Sequence, residues 1–193
     1  MEAIPIYNGI IDIRPVAEAY LRRGLTHWSG DWPSAVEDFL EATRLDPAHD
    51  EAYNLLGEAY AKRGYEGDRT RSIDTLNQAE AIQISRDGNA SIRTIGLRCG
   101  AYAVRGDSER LGGGDLDRVV DDYTHCIADC IYALEYGSSV DFRDQCYFGR
   151  GRAYGGLGER EKAIADFEWL LENSQNDEVK QAAEHELLAL RRQ

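Results

Sequence analysis

The sequence is poor in the residues that most catalytic and metal sites require. Its 193 residues include 4 histidines, 4 cysteines and 1 methionine. No nucleophile motif accompanies any histidine, so the sequence offers neither an acid–base pair nor an activated nucleophile. We therefore expect a protein that is not an enzyme and that uses neither a cofactor nor a metal ion.

Basic residues are in the minority, with 22 Lys plus Arg against 35 Asp plus Glu and a net charge of -13. Such a charge repels the phosphate backbone of nucleic acids. No run of about 18 apolar residues is present that would span a membrane. Residues 1–5 also lack the basic and apolar segments of a secretory signal. We expect a cytoplasmic protein whose partners include neither nucleic acid nor membrane.

The four cysteines, Cys99, Cys126, Cys130 and Cys146, are too few and too scattered for a disulfide scaffold. Cys126 and Cys130 are four residues apart on a predicted helix, where Cβ atoms lie about 5–6 Å apart and a disulfide needs about 4 Å. His125 points about 100° away from Cys126, which argues against a zinc site. We interpret the cysteines as buried, inert thiols, with a redox switch as the alternative.

What the sequence does contain is a pattern that recurs along it. A large residue, an Arg or Leu, a small residue and a second large residue follow one another at helical spacing, and a second apolar-periodic stretch comes after each copy. The four copies are Tyr20-x-x-Arg23-Gly24-x-x-His27, Tyr53-x-x-Leu56-Gly57-x-x-Tyr60, Ile95-x-x-Arg98-Cys99-x-x-Tyr102 and Tyr147-x-x-Arg150-Gly151-x-x-Tyr154. The second stretches pair Ala35 with Phe39, Ser72 with Leu76, Val119 with Tyr123 and Ala163 with Phe167. Two antiparallel helices come closest where side chains are small, so the small residues predict helix pairs.

This pattern resembles the tetratricopeptide repeat (TPR), whose unit of about 34 residues has a Leu-Gly pair and aromatics on one helix and A-x-x-x-F on the next. The resemblance covers roughly residues 16–173, and the first copy has the closing Pro47. Later copies lack that proline, and residues 64–71 and 107–114 are insertions relative to the family unit. The resemblance implies an all-α fold: a TPR-like right-handed helical solenoid of about four irregular helix-turn-helix repeats plus a C-terminal capping helix.

The predicted organisation has three parts. An N-terminal extension occupies residues 1–15, four repeats occupy residues 16–175, and a capping helix occupies residues 176–193. The repeats are assigned to about 16–48, 49–85, 90–137 and 141–173.

A charge pattern accompanies three of the four copies. Where Arg precedes the small residue of the first helix, Asp precedes the aromatic of the second. The pairs are Arg23 with Asp38, Arg98 with Asp122 and Arg150 with Asp166, while the second copy has Leu56 and Thr75 at these positions. We predict that each pair makes a partly buried, bidentate ion pair.

In TPR arrays the first helices of successive repeats line a concave groove, so the resemblance implies a peptide-binding surface. By position, the predicted groove residues are Leu21, Leu25, Trp28, Asn54, Glu58, Arg93, Gly96, Gly100, Gln145, Phe148, Arg152 and Gly155. The family's clamp for a peptide carboxylate is not present, although Arg93, Arg152 and Asn54 could hold an acidic group.

Glycines are the most distinctive feature of this predicted groove. Gly96, Gly100, Gly155 and the adjacent Gly156 each cost a helix about 1 kcal/mol relative to alanine. Either close approach of a ligand or tight internal packing would explain them.

We therefore expect a non-catalytic protein-interaction module, an adaptor or co-chaperone-like scaffold that binds a peptide or helix of another protein. The alternative is a self-assembling structural unit, a homo-oligomer formed through the groove or the terminal helices.

Overall fold

A computed structural model describes residues 3–136 and 140–192. Within these ranges the chain forms ten α-helices, one 3₁₀ turn and no strand. The helices are α1 (Ala3–Ile13), α2 (Ala17–Thr26), α3 (Trp32–Leu45), α4 (Asp50–Arg63), α5 (Asp68–Asp87), α6 (Ile92–Gly112), α7 (Leu116–Tyr136), α8 (Val140–Gly156), α9 (Arg160–Asn173) and α10 (Asp177–Arg192), and the 3₁₀ turn is His27–Ser29. None of these helices is long and apolar enough to cross a membrane. Residues 137 and 193, where the predicted third repeat and capping helix end, lie outside the described residues.

The helices gather into two compact units, Met1–Thr94 and Ile95–Gln193, and the boundary falls within α6. In the first unit each helix from α1 to α5 packs on the next along the chain. In the second unit α7, α8, α9 and α10 pack in the same consecutive way, and α10 also contacts α8. We refer to α2/α3, α4/α5, α6/α7 and α8/α9 as repeats 1 to 4.

Local sequence signals set the helix ends in the first unit. Asp31 caps α3, because its carboxylate accepts a hydrogen bond from the Ser34 N–H at 3.3 Å. Pro33 lies in the first turn of α3, where no intrahelical donor is needed. Gly64 ends α4 in the left-handed conformation, with φ of +67°, which glycine adopts without strain.

The core of the first unit lies between α2, α3 and α4. Phe39 is completely buried at its centre, and a Cβ on Gly24 would lie 2.5 Å from the Phe39 ring. The small residue of the repeat pattern is therefore needed for helix contact. The buried cluster comprises Leu21, Ala35, Val36, Phe39, Ala42, Ala52, Leu55, Leu56, Ala59 and Tyr60.

Repeat 3 corrects the predicted alignment. Its helix-contact glycine is Gly106 and not Cys99, because a Cβ on Gly106 would lie 2.8 Å from the Tyr123 ring. The predicted third copy is thus displaced by seven residues, which is about two helical turns. The sequence misleads here because the same spacing of a large residue, Arg and a small residue occurs twice, ending first at Cys99 and again at Gly106.

The corrected alignment also relocates the predicted insertion at residues 107–114. Helices α2 and α4 begin seven residues before Gly24 and Gly57, whereas α6 begins fourteen residues before Gly106. Likewise α3 ends six residues after Phe39, and α7 ends thirteen residues after Tyr123. The extra length is therefore two added turns on each helix of repeat 3, and the turn between the helices is short.

Candidate functional site

The predicted ion pairs of repeats 1 and 4 are confirmed. Arg23 donates to Asp38 from Nη2 at 2.6 Å and from Nε at 3.0 Å. Arg150 donates to Asp166 from Nη2 at 2.6 Å and from Nε at 2.9 Å. Both carboxylates are buried, so these are the charge-assisted bidentate contacts that the paired positions indicated.

The predicted pair of Arg98 with Asp122 is wrong. Asp122 instead accepts hydrogen bonds from Arg105, from Nη2 at 2.6 Å and from Nε at 2.8 Å. Arg98 donates a hydrogen bond to Asp129 at 2.8 Å. The cause is the seven-residue displacement, since Arg105 precedes Gly106 as Arg23 precedes Gly24. Repeat 3 therefore has the same ion pair as repeats 1 and 4, with Arg98 and Asp129 as an additional pair in the lengthened part.

In repeat 2 the buried ion pair lies elsewhere: it joins the end of α4 to the start of α5 at the turn between the two helices. The Asp68 side chain is 0% exposed and accepts hydrogen bonds from Arg63, from Arg71 and from the Tyr65 N–H. Burial by itself would raise the pKa of Asp68, but these hydrogen bonds and the positive charge of Arg63 outweigh it, so the pKa lies below its ordinary value.

The corrected alignment changes which residues of repeat 3 occupy the predicted groove positions. These positions lie six and three residues before the helix-contact glycine and one and four residues after it. In repeat 3 they are Gly100, Ala103, Asp107 and Arg110, in place of Arg93 and Gly96. Asp107 and Arg110 are thus functional candidates that the sequence alignment missed.

In repeat 1 the predicted groove residues divide between core and surface. Leu21 belongs to the buried cluster, whereas Leu25 is exposed. Trp28 is half-buried and meets the rings of Trp32 and Phe39 edge-on, with centroids 5.2 and 5.8 Å away. Leu25 and Trp28 present an apolar surface.

Two of the residues predicted to hold an acidic group, Asn54 of repeat 2 and Arg93 at the start of α6, already have partners in the chain. Asn54 is 2% exposed and accepts a hydrogen bond from Thr94 Oγ1 at 3.0 Å. Arg93 pairs with Glu51 and lies 3.5 Å from the Glu58 carboxylate. The structure therefore brings Arg93 and Glu58 together but buries Asn54.

In repeat 4 Gln145 is exposed, and Phe148 packs edge-on against Phe167 with ring centroids 5.7 Å apart. Arg152 and Gly155 line a cavity of about 310 Å³ in the second unit, together with Asp107 and Arg110. We call this the second-unit cavity. Its other lining residues are Leu111, Gly151, Gly156, Phe167, Glu186, Ala189 and Leu190.

Helix α10 forms one wall of this cavity through Glu186, Ala189 and Leu190. The sequence predicts α10 as a cap with a structural role. Its periodic apolar residues indicate that it packs on the last repeat, but they do not show that its exposed edge reaches the groove positions.

A connected polar group lies at the floor of the second-unit cavity. Asp107 is 7% exposed; one of its oxygens accepts a hydrogen bond from the Tyr123 hydroxyl and the other pairs with Arg152. Arg110 Nε donates to the Tyr123 oxygen at 3.2 Å. Burial and the bond to Asp107 raise the pKa of Tyr123 to about 12. Tyr123 therefore stays protonated and keeps donating to Asp107.

The cavity wall has two arginines and two carboxylates, but the arginines have more N–H donors than their named contacts use. Arg110 and Arg152 face Asp107 and Glu186, and each guanidinium has five N–H donors. The contacts named above use only part of these donors, and both arginine side chains are partly exposed. The cavity can therefore donate hydrogen bonds to a further acceptor.

The glycines of the predicted groove have different causes. A Cβ on Gly156 would lie 2.2 Å from the Tyr123 ring, so internal packing explains that glycine. A Cβ on Gly155 would make an ordinary 3.6 Å contact with Leu190, and one on Gly100 would meet nothing within 4 Å. Gly96 is buried. Gly100 alone of these four has the open space that approach of a ligand requires.

The cysteines correct a further prediction. Cys99 and Cys130 form a disulfide, so they are not free thiols, whereas Cys126 and Cys146 are free and buried. The interpretation was wrong because Cys99 and Cys130 lie on different helices, α6 and α7, and helical spacing relates only residues of one helix. His125 is exposed and stacks on Tyr102, away from the sulfur atoms.

Comparison with known families identifies the repeats. A family model described as "TPR repeat" matches residues 28–64, and one described as "Tetratricopeptide repeat" matches residues 144–177. These matches cover parts of repeats 1 and 2 and all of α9. No protein with a curated description matches the sequence.

Solved structures show the same fold over most of the chain. MamA is 22% identical, with 89% of this chain and 81% of that chain covered and a TM-score of 0.61. A thermophilic TPR protein of Thermus thermophilus, TTC0263, is 18% identical, with 96% and 89% covered and a TM-score of 0.64. Yeast Tom70 is 13% identical, with 97% of this chain and 42% of that chain covered and a TM-score of 0.55.

The chain therefore contains tetratricopeptide repeats, and its fold is the all-α, TPR-like solenoid that the sequence predicts. Proteins of this family are in general non-catalytic scaffolds for protein interaction, and the fold supports that general role here.

Proposed function

We propose that this chain is an adaptor that binds a segment of a partner protein in the second-unit cavity, with Arg110 and Arg152 donating to an acidic group of that segment. The observation that carries the proposal is that the cavity combines groove positions of two successive repeats. Asp107 and Arg110 come from repeat 3, and Arg152 and Gly155 come from repeat 4.

The size and lining of the cavity define the ligand that fits it. Its volume of about 310 Å³ is at the lower end of the range for ligand sites, which suits one or two side chains rather than a large cofactor. Leu111 and Leu190 add apolar surface beside the arginines. We expect the bound segment to carry a carboxylate next to an apolar side chain.

Selection from a random peptide library, followed by fluorescence anisotropy with the selected peptides, tests this function. We expect acidic peptides to be enriched and Arg110→Glu to weaken their binding at least about tenfold. A charge-assisted hydrogen bond contributes about 1.5–3 kcal/mol, and about 1.4 kcal/mol corresponds to tenfold.

Arg160→Glu is the matched control, because it makes the same charge change at an exposed residue of the same unit. Circular dichroism confirms that both variants are folded. Equal affinity of the Arg110→Glu and Arg160→Glu variants for the selected peptides would refute the proposal.

Self-association is the second candidate function, and one feature of α1 favours it. Ile6, Ile10 and Ile13 share one helix face and are 62%, 41% and 88% exposed. Exposed apolar stripes of this kind are typical of interaction surfaces. A molar mass from light scattering that stays monomeric over a dilution series would exclude it.

The remaining expectations stay predictions. The net charge of -13 supports the exclusion of nucleic acid partners. A cytoplasmic location is in tension with the Cys99–Cys130 bond, because disulfides are typical of oxidising compartments.

A further inference from the structure

Three sulfur atoms meet in the core of the second unit. Cys99 lies on α6, and Cys126 and Cys130 lie on successive turns of α7. All three side chains are fully buried, and their sulfur atoms lie within 4.8 Å of one another. Cys99 and Cys130 are joined, and the free Cys126 sulfur lies 2.9 Å from the Cys99 sulfur.

Helix α8 and a neighbouring ion pair surround the three sulfur atoms. Gly149 of α8 faces both atoms, since a Cβ there would lie 3.0 Å from the Cys99 sulfur and 3.6 Å from the Cys126 sulfur. A Cβ at this position would crowd the Cys99 sulfur and would make an ordinary contact with the Cys126 sulfur. The neighbouring ion pair of Arg98 and Asp129 joins the same two helices one residue before Cys99 and Cys130.

We propose that Cys99, Cys126 and Cys130 form an internal thiol–disulfide exchange site, in which the disulfide moves between Cys99–Cys130 and Cys99–Cys126. The Cys126 thiol loses its proton and its sulfur attacks the Cys99 sulfur. The new bond joins Cys99 to Cys126, the Cys99–Cys130 bond breaks, and Cys130 leaves as a thiolate that takes up a proton. The number of disulfides and thiols is unchanged, so the step needs no external oxidant.

The exchange moves the covalent link along α7 by about one helical turn. Cys130 begins the two added turns of repeat 3, and Cys126 lies within the part that all repeats share. The Cys99–Cys130 disulfide therefore joins α6 to the added turns of α7, whereas a Cys99–Cys126 disulfide leaves these turns without a covalent bond to α6. This inference does not depend on the peptide-binding function proposed above.

The pKa of the Cys126 thiol sets the pH dependence of the exchange. Burial is the main reason that the pKa of Cys126 lies well above its ordinary value. The negative charges of Asp129 and Asp107 add to the effect, while Arg152 opposes it. The attacking species is the thiolate. As long as the pH is below the pKa of the thiol, the thiolate fraction rises about tenfold for each unit by which the pH is raised. Exchange should therefore be slow at pH 7 and about a hundredfold faster at pH 9.

Disulfide mapping of the full chain tests the proposal. The protein is purified without reductant, treated with oxidised glutathione, incubated at pH 9, quenched with acid and alkylated with N-ethylmaleimide. Digestion with trypsin and Asp-N separates the two sites, because Asp129 lies between Cys126 and Cys130. We expect mass spectrometry to find Cys99 linked to Cys130 and also to Cys126.

Single substitutions give each link separately. Cys126→Ser should leave only the Cys99–Cys130 link, and Cys130→Ser should form the Cys99–Cys126 link with oxidised glutathione. Cys146→Ser is the matched control, since it removes a buried free thiol of the same unit and should leave both links in place.

Several results would overturn the inference. One is a wild-type protein that shows only the Cys99–Cys130 link at pH 9, or no disulfide at all. Another is a folded Cys130→Ser variant whose two thiols stay free or each add glutathione. One equivalent of zinc with three unlinked cysteines would identify a metal site instead. If Cys130→Ser does not fold, as judged by circular dichroism, the wild-type map decides.

Discussion

In repeats 1 and 3 the same kind of ion pair joins the two helices, but the helices differ in length. In repeat 1 Arg23 binds Asp38, and in repeat 3 Arg105 binds Asp122, each through both Nε and Nη2. Yet α6 and α7 are 21 residues long, and α2 and α3 are 10 and 14. The ion pair and the glycine beside it fix how the helices meet, and whole turns added beyond them leave that contact unchanged.

The two repeats also differ in what they offer at equivalent groove positions. Repeat 1 places Leu25 and Trp28 after its glycine, and repeat 3 places Asp107 and Arg110 there. One is an apolar surface, and the other is the charged wall of a cavity. The same helix-pair scaffold therefore carries side chains of opposite chemistry at these equivalent positions.

Removal of Arg105, the arginine of the ion pair in repeat 3, should have the largest effect on stability. Arg105→Met leaves the buried Asp122 carboxylate without its partner, and we expect the free energy of unfolding to fall by about 3–5 kcal/mol. Urea unfolding of Arg105→Met, Asp122→Asn and the double variant measures the coupling. Arg98→Met with Asp122→Asn is the control, whose effects should add within about 0.5 kcal/mol. Strong coupling of Arg98 to Asp122 would restore the original alignment.

Substitution of the contact glycines should have a smaller effect. Gly24→Ala and Gly106→Ala each place a Cβ within 3 Å of a buried ring, and we expect each to cost about 1–3 kcal/mol in unfolding free energy. Gly100→Ala meets no neighbour and should raise stability by up to about 1 kcal/mol. A stabilising Gly106→Ala would show that repeat 3 does not close as repeat 1 does.

The turn of repeat 2 should give the smallest effect, visible mainly as a change with pH. A carboxyl group whose pKa is lowered by folding stabilises the protein above its unfolded pKa of about 3.9, and that stabilisation is lost as the pH falls toward the folded pKa. Asp68→Asn should therefore reduce the thermal midpoint at pH 7, with a difference from wild type that shrinks below pH 4. Asp74→Asn, at an exposed position of the same helix, controls for the lost charge. A difference that stays constant down to pH 2 would contradict this account.

Much of the fold follows from the sequence because side-chain size and charge recur together. Gly24 and Gly151 occur with Asp38 and Asp166, which identified two helix pairs and their ion pairs correctly. Repeat 3 was misaligned because seven residues return almost to the same helix face, so Arg98 and Arg105 satisfy one pattern equally well.

The site depends on information that helical spacing does not carry. The Cys99–Cys130 disulfide joins residues 31 positions apart, and it follows only once α6 and α7 are placed in the correct register. Glu186 and Leu190 reach the cavity because of how α10 packs, which no repeat position indicates. Asn54 occupies a groove position by spacing, yet a hydrogen bond from Thr94 holds it inside.

Tyr123 stands where repeats 1 and 4 have Phe39 and Phe167. Its ring fills the same contact with a glycine, but its oxygen bonds Asp107 and receives Arg110, so a single atom links helix packing to the polar floor of the cavity. Tyrosine and phenylalanine codons differ at one base. In evolutionary terms, a single base change at this position can add or remove the hydroxyl that connects the helix contact to Asp107 and Arg110, while the ring contact with the glycine stays in place.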